Sequence, residues 1–436
     1  MASLNVGIIG LGTVGSGCAE ILIKNRELVR AKAGVDIRIK KIADLDITRD
    51  RGLELKGIPL VTEAMDIIRD PDIQVVVELI GGTTKAREYA EEAITSGKHL
   101  VTANKALLAE AGVHLFELAQ KANVCIGFEA SVAGGIPIIT AVKDGLCANY
   151  IQKLLAILNG TSNYILTQMQ RHHKSYQDVV QEAVRLGFAE DPPTLDVNGT
   201  DVCHKLLILL ALFYGKWFSM DEIYREGIQR ITPQDLTFAD EFGYRVKLLA
   251  IAKAQGEGLE ARVHPVMIPK GHMLAGVEEA YNGIYIEGDF VGPTLFYGLG
   301  AGRRPTGSAV VSDLIAIARR LSSGQREFPY CLGSQPLNNL RIKPIEEISM
   351  PYYFRFQAQD KPGVLSKISG ILAHYQISIA SVIQKGRVLH GSVPIVMLTH
   401  EAKESAVKKA IKEIDTLDVV SDATVAIRVE GGEGAE

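Results

Sequence analysis

Residues 4–15 read Leu4-Asn5-Val6-Gly7-Ile8-Ile9-Gly10-Leu11-Gly12-Thr13-Val14-Gly15. A short buried-strand pattern, Leu4–Ile9, runs directly into Gly10-x-Gly12-x-x-Gly15, and a helical run, Ser16–Ala31, follows. In this strand–turn–helix setting the glycine pattern predicts a dinucleotide-binding turn. Gly10 permits the tight turn, Gly12 lets the backbone approach a pyrophosphate, and Gly15 allows helix to pack closely on strand. The backbone N–H groups at the helix start, around Thr13 and Val14, would then face the phosphates.

The same alternation continues outward from this motif. Val35–Ala43, Gln74–Ile80, His99–Thr102 and Val124–Phe128 read as strands, with helices at Lys85–Ser96 and Lys105–Lys121. Strands alternating with helices predict a parallel, doubly wound sheet. Its ligands belong beyond the carboxyl ends of the strands, where Gly81-Gly82-Thr83, Thr102-Ala103-Asn104-Lys105 and Glu129 fall. Asp44 closes the second strand, where a carboxylate would bond a ribose 2′-OH and favour NAD. Lys40, Lys41, Arg49 and Arg51 stand close enough to supply a cation for the extra phosphate of NADP, and Asp44 can also cap the turn that follows. The choice between NAD and NADP stays open. Lys105 opens a helix against the dipole preference, which points to a task in the cleft; a surface lysine is the ordinary alternative.

Composition bounds the rest. A chain of 436 residues has room for two or three domains, and 47% apolar with 22% charged residues is ordinary for a soluble globular protein. The net charge of −4 comes without a basic tract, so nucleic-acid binding has no electrostatic support. Five scattered cysteines with no CxxC pair predict reduced thiols in the cytoplasm. Met1-Ala2-Ser3 leads straight into a strand pattern, which leaves no room for a signal peptide. The most apolar stretch, Leu206–Phe213, is too short to span a bilayer.

From about Ile136 the order of elements changes. Helical patterns at Ile136–Leu146, Thr161–Arg171, Tyr176–Leu186, Asp201–Tyr214, Phe238–Gln255 and Ser308–Leu321 mix with strand patterns at Gln152–Leu158, Ala261–Ile268, Asn282–Gly288 and Leu295–Tyr297. This predicts a mixed sheet covered by helices, with substrate in the cleft facing the nucleotide domain. Residues 186–205, LGFAEDPPTLDVNGTDVCHK, concentrate carboxylates and a lysine around turn residues. Asp201 and Lys205 stand four apart and share a helical face. Beside the loop carboxylate Glu190, the pair could hold an amino-bearing substrate and move a proton. An ion pair on a solvated helix face fits the same spacing. Asp196 reads equally well as a helix cap. After an irregular connector, Pro329–Ile348, the order βαββαβ predicts a ferredoxin-like domain from Tyr352–Gln359 to Ala423–Arg428, and the tail Glu430–Glu436 reads as disordered.

GLGTVG at 10–15, TANKALLA at 102–109, FEASVAGGIPII at 128–139, LNGTSNYIL at 158–166, the 186–205 segment and GAGRRPT at 300–306 occur in that order. The series resembles the bacterial homoserine dehydrogenases over essentially the whole chain, of the monofunctional type with no aspartate kinase domain ahead of the nucleotide fold. DKPGVL at 360–365 and ISIASV at 377–382 resemble an ACT domain. The resemblance implies an α/β chain in three parts: a Rossmann-type NAD(P)-binding domain over 1–135, a central α+β catalytic and dimerisation domain over 136–328 whose segment 300–328 returns to the nucleotide domain, and, after a connector over 329–350, an ACT domain over 351–430. It implies reversible interconversion of L-homoserine and L-aspartate 4-semialdehyde in threonine, methionine and isoleucine biosynthesis, feedback by L-threonine, and a homodimer or homotetramer.

The resemblance also implies roles. Lys205 matches the acid–base lysine, Lys105 a second lysine facing it, and Asp201 an aspartate that orients both substrate and Lys205. Glu190 matches the carboxylate for the substrate ammonium, with Asp196 at another acidic position. Gly187 and Gly302 match glycines lining the cofactor. Glu129 and the carbonyls of Val132, Gly134 and Ile136 match a loop for Na⁺ or K⁺, a set of hard oxygen ligands without the N/S donors of zinc. One departure stands out: Pro192-Pro193 replaces the family's usual Asp-Pro pair, with Asp191 one place earlier. A 2-hydroxyacid dehydrogenase with an ACT domain would instead carry its nucleotide fold internally and need a catalytic histidine. A non-catalytic amino-acid or NAD(P)H sensor would leave the Lys205 segment dispensable.

Overall fold

Strands without a polar face must be covered on both sides, and the strands Val75–Glu78 and His99–Thr102 of the N-terminal sheet are of that kind. The computed structural model describes residues 3–189, 191–256, 258–324, 340–385 and 391–431. Its first sheet contains β1 (Ser3–Ile9), β2 (Asp36–Ala43), β3 (Leu60–Val61), β4 (Val75–Glu78), β5 (His99–Thr102) and β6 (Ile126–Gly127). The spatial order is β3-β2-β1-β4-β5-β6, all neighbours parallel. That is the doubly wound order of a dinucleotide fold, and every residue of β4 and β5 is buried.

The helix after β1 is shorter than its sequence pattern. It spans Thr13–Lys24, breaks at Asn25 and resumes as Arg26–Ala33, which Gly34 ends at φ +78°. The left-handed closure by glycine is the common helix stop. The long helix Arg303–Ser322 returns from late in the chain to lie against Thr13–Lys24. Two glycines make this approach possible: a Cβ on Gly17 would meet the Arg303 carbonyl oxygen at 1.8 Å, and one on Gly307 would meet Gly17 at 2.6 Å. Cys18, Val310 and Leu314 are buried in the core that results.

By internal contacts the chain forms two compact units. The first comprises Met1–Ile151, His204–Met220 and Glu287–Asn339; the second comprises Gln152–Cys203, Asp221–Ile286 and Leu340–Glu436. In the second, a mixed sheet runs Tyr281–Gly288, Ile151–Ile157, Tyr244–Gln255, Gly258–Pro269, Val425–Val429, Tyr352–Gln359, Ser392–Thr399 and Ile379–Gln384. The last four strands, with helices Val364–His374 and Glu404–Ile414, form the expected βαββαβ arrangement around Phe354, Phe356, Ile368 and Leu372. This C-terminal sheet continues the central one, because Arg428 and Val429 pair in parallel with Val266 and Met267.

Two expectations change. Phe238–Gln255 is not one helix: Pro233–Glu241 is helical, Gly243 turns at φ +83°, and Tyr244–Gln255 is a strand paired along its whole length with Gly258–Pro269. The strand is buried on both faces from Val246 to Ala252, and so apolar a run has no period to separate strand from buried helix. Glu430 is not part of a loose tail. It is buried, and its carboxylate pairs with Lys253 and Arg262.

Gly17→Ala is expected to destabilise the protein by about 1–3 kcal/mol through overpacking. Gly370→Ala, inside a helix and facing open space, should stabilise it by about 0.4–1 kcal/mol. Denaturant unfolding of the two variants checks the contrast.

Candidate active site

The glycine turn shows which of its glycines the fold itself requires. Gly10 adopts φ +99°, and a Cβ on Gly15 would meet the Gly10 carbonyl oxygen at 2.0 Å. Gly12 has nothing within 4 Å of an added Cβ. No steric reason inside the protein keeps Gly12 bare, so the reason lies in what approaches it. Gly12, Thr13 and Ser16 line a pocket of about 350 Å³ together with Arg49, Arg51 and Arg303. The first helical turn here contains no acidic residue. A phosphate-bearing dinucleotide fits such a cradle.

Asp44 and Arg51 brace that turn from the side. The Leu11 N–H donates to Asp44 Oδ2 (2.6 Å), while Arg51 Nε donates to the Leu11 carbonyl (2.7 Å). Asp44 Oδ1 accepts from Arg51 Nη2 (3.0 Å) and from the Asp46 N–H (2.9 Å). Asp44 therefore does serve the turn after β2, and it pairs with an arginine as well.

At the carboxyl ends of β4 and β5 a buried relay holds the next loops. Glu78 is fully buried, its carboxyl pushed up by burial; it accepts from the Thr102 hydroxyl (2.7 Å) and the Ile80 N–H (2.9 Å). Thr102 Oγ1 accepts from the Asn104 N–H (3.0 Å), and Asn104 Nδ2 donates to the Gly82 carbonyl (2.7 Å). Gly81 and Gly82 are both left-handed, and Thr83 stands at the start of helix Thr84–Thr95. Asn104 also caps helix Lys105–Ala122 through the Leu107 N–H, which leaves Lys105 half-buried as its first residue. The sequence reading passed over Glu78; its only signal was a carboxylate inside an otherwise apolar strand.

Glu129 is buried and faces a helix start. Its two carboxylate oxygens accept from the Ile139 N–H (2.9 Å), the Thr140 N–H (2.8 Å) and the Thr140 hydroxyl (2.5 Å). The Glu129 N–H donates to Asp313 Oδ2 at 2.9 Å. Burial, and next the charge of Glu129, raise the Asp313 carboxyl to about 7. Val132 and Ile136 are buried, Gly134 is left-handed, and the Ile136 carbonyl accepts from the Ile138 N–H. Among the described residues, no group of three or more His, Cys, Asp and Glu converges as metal ligands.

A polar cluster gathers around Asn159, at the N-cap of helix Gly160–His172. Asn159 Oδ1 accepts from the Ser162 N–H (2.7 Å). That fixes the amide so that Nδ2 donates to Asp196 Oδ1 (2.8 Å) and to Asp201 Oδ2 (2.9 Å). Asp196 lies in the short helix Thr194–Val197, whose N-cap is Pro193, so the cap reading of Asp196 does not hold. Asp201 and Lys205 occupy successive turns of helix Thr200–Tyr214. Both are buried, at 5% and 9% exposure, which removes the reading of a solvated surface ion pair. Lysine is seldom buried to this degree without a task. Asn159 was quoted in a motif but not singled out, because its partners are about 40 residues away. Gly187 closes helix Tyr176–Arg185 at φ +76°, and Gly302 opens helix Arg303–Ser322 at φ +124°. Glu190 lies outside the described residues.

Residues 10–129 match the homoserine dehydrogenase NAD-binding domain, 137–315 the homoserine dehydrogenase domain, and 352–419 an ACT domain. The homoserine dehydrogenase of Neisseria gonorrhoeae is 43% identical over 99% of both chains. That of Helicobacter pylori is 46% identical over 98% of this chain and 99% of its own. The chain belongs to the homoserine dehydrogenase family. As a member it is an NAD(P)-dependent oxidoreductase with a C-terminal ACT domain. The crystal structure of a homoserine dehydrogenase from Thiobacillus denitrificans superposes with a TM-score of 0.93 at 44% identity, covering 98% of each chain. A hyperthermophilic archaeal homoserine dehydrogenase, solved in complex with NADPH, matches 74% of this chain and 99% of its own at 26% identity, TM-score 0.62. Among the described residues no helix is long and apolar enough to cross a membrane.

Asn159→Asp should keep the helix cap but set a third carboxylate against Asp196 and Asp201. Mutual repulsion disfavours ionisation of such a set, so the variant's stability deficit should grow as pH rises. Melting temperatures at pH 5 and pH 8, compared with those of the parent protein, test this; an equal deficit at both would refute it.

Proposed function

We propose that this protein catalyses the reversible oxidation of L-homoserine to L-aspartate 4-semialdehyde, a step of threonine, methionine and isoleucine biosynthesis. The observation that carries the reading is the Asn159–Asp196–Asp201 cluster, in which Asn159 and Asp201 are buried, with the buried Lys205 one helical turn after Asp201. A carboxylate pair held by one amide suits an ammonium group, and homoserine carries one.

The nicotinamide cofactor supplies hydride acceptance at the substrate carbon when bound. Lys205 takes the hydroxyl proton on its Nζ as the alcohol becomes an aldehyde, and returns it in the reverse direction. Asp201 orients the substrate and Lys205; Asp196 and Glu190 hold the ammonium group; Lys105 provides a second cation facing the site. Gly10, Gly12, Thr13, Val14, Gly15 and Thr83 belong to the cofactor site in this reading, with Gly187 and Gly302 lining it. The arginine-rich rim favours NADP over NAD. Asp44 already accepts three hydrogen bonds, one from Arg51, and Arg49, Arg51 and Arg303 border the pocket at Gly12. Paired arginines of this kind suit a phosphate better than a ribose hydroxyl.

Na⁺ or K⁺ at Glu129, Val132, Gly134 and Ile136 completes the site. Its support is an oxygen-only, buried donor set with a second carboxylate, Asp313, beside it; the ion would share Glu129 with the helix start. L-Threonine is the effector proposed for the ACT domain. Assembly as a homodimer or homotetramer is supported by an apolar stripe of Leu295, Tyr297 and Leu299 beside Phe290, which is 88% exposed.

Absorbance at the nicotinamide band, with homoserine and either cofactor, tests the reaction; no turnover with both would sink it. Lys205→Ala should lower kcat by about 10²- to 10⁴-fold while cofactor binding holds. Gly12→Ala should fold normally and lose cofactor affinity, since only the ligand side of that residue is open. Arg51→Ala should raise the KM for NADP more than that for NAD.

A further inference from the structure

One buried side chain, Arg428, ties the C-terminal domain to Tyr224 and Glu226 of the central domain. Arg428 lies on the strand that joins the C-terminal sheet to the central one, opposite Val266. Its Nε and Nη2 donate to the Glu404 carboxylate at 2.9 and 2.6 Å, and Nη2 also donates to the Tyr224 hydroxyl at 2.9 Å. Its remaining nitrogen, Nη1, donates to Glu226 Oε2 at 2.7 Å. The Tyr224 hydroxyl donates to the same Glu226 oxygen, and the Tyr224 ring sits 4.8 Å from the guanidinium carbon. All three nitrogens of Arg428 are thus committed: Nε to the C-terminal domain's own Glu404, Nη2 shared between Glu404 and the central domain's Tyr224, and Nη1 to the central domain's Glu226.

Glu226 is followed by a segment pressed onto the substrate loop. A Cβ on Gly227 would lie 2.2 Å from the Val197 carbonyl oxygen and 2.7 Å from the Asn198 Cα. The Ile228 N–H donates to the Val197 carbonyl at 2.9 Å. Gly199, left-handed at φ +85°, sits with its Cβ position 3.5 Å from the Glu226 carbonyl oxygen. Residues 197–199 are therefore clamped by residues 226–228. Asp196 immediately precedes the clamped residues and Asp201 follows two places later. A buried arginine–carboxylate set adds little net stability over apolar packing of the same volume; what it fixes is position.

We propose that Glu226 and Arg428 are positioning residues, through which the C-terminal domain sets the placement of Asp196 and Asp201. The proposal rests on the assignment of those carboxylates to substrate binding. Neither residue touches substrate or cofactor: Glu226 acts through the 226–228 backbone, and Arg428 acts through Glu226. Movement of the Val425–Val429 strand relative to Glu404 changes the pull on Glu226, and the loop carrying Asp196 follows. The C-terminal domain would then alter affinity for the amino-bearing substrate and leave the glycine turn untouched.

Steady-state kinetics of the full-length chain test this. Glu226→Ala should raise the KM for homoserine about 2- to 30-fold with the cofactor dissociation constant unchanged. Glu226→Gln, which keeps an acceptor for Arg428, should recover most of the loss. Gly227→Ala strains the same clamp from the other side and should also raise the KM. Arg428→Lys combined with Glu226→Ala should cost less than the sum of the two singly, because the residues act in series. Glu226 is one-third exposed, so its variants remain informative if Arg428→Lys fails to fold. A lowered melting temperature with an unmoved homoserine KM would leave the pair purely structural and overturn the proposal. Absence of homoserine turnover in the parent protein would instead overturn the activity, and this inference with it.

Discussion

One amide holds two carboxylates and a helix start together in this chain. As an N-cap, Asn159 spends its side-chain oxygen on the Ser162 N–H, and that choice aims both hydrogens of its side-chain nitrogen at Asp196 and Asp201. A helix start is thereby converted into a holder for two carboxylates that would otherwise repel each other. The next turn of the second helix carries Lys205 in a buried position. Capping and carboxylate spacing form one linked constraint, since a shift of the amide frees an N–H, two carboxylates and a helix end together.

The nucleotide-binding half follows a different logic, in which backbone groups dominate and side chains brace them. Asp44 and Arg51 grip the N–H and C=O of Leu11 respectively, so the glycine turn is stiffened without any side chain entering it. Glu78, Thr102 and Asn104 do the same for the loops after the central strands. Conformational freedom is removed before a ligand arrives, which lowers the ordering cost of binding. The contrast between Gly12, open to solvent, and Gly15, packed on Gly10, separates a glycine kept for a ligand from one kept for the fold.

Much of this was legible in the sequence, for local reasons. GLGTVG after an apolar strand, the alternation of elements to residue 128 and the βαββαβ order of the last domain are short-range patterns, and each reappears in the structure. Tyr244–Gln255 was misjudged because burial on both faces erases periodicity. Glu430 was misjudged because its partners, Lys253 and Arg262, are more than 160 residues away. The same distance problem hid Asn159 and Glu78, whose importance lies in what they hold. Asp201 and Lys205 were visible by spacing, but only their burial separates them from an ordinary surface pair.

The parallel pairing of Val425–Val429 with Gly258–Pro269 has a consequence for how the chain can be divided. A domain tethered by a flexible linker can be deleted at little expense to its neighbour. Here the C-terminal domain contributes an interior strand, and it also supplies Glu430, the carboxylate partner of Lys253 and Arg262. Cutting it away would leave an open backbone edge of the type that recruits other chains into aggregates, beside the buried Arg262, which would lose one of its two carboxylate partners. The C-terminal domain is thus an inseparable part of the central sheet, and gain or loss of such a domain in this lineage would require the edge to be rebuilt at the same time.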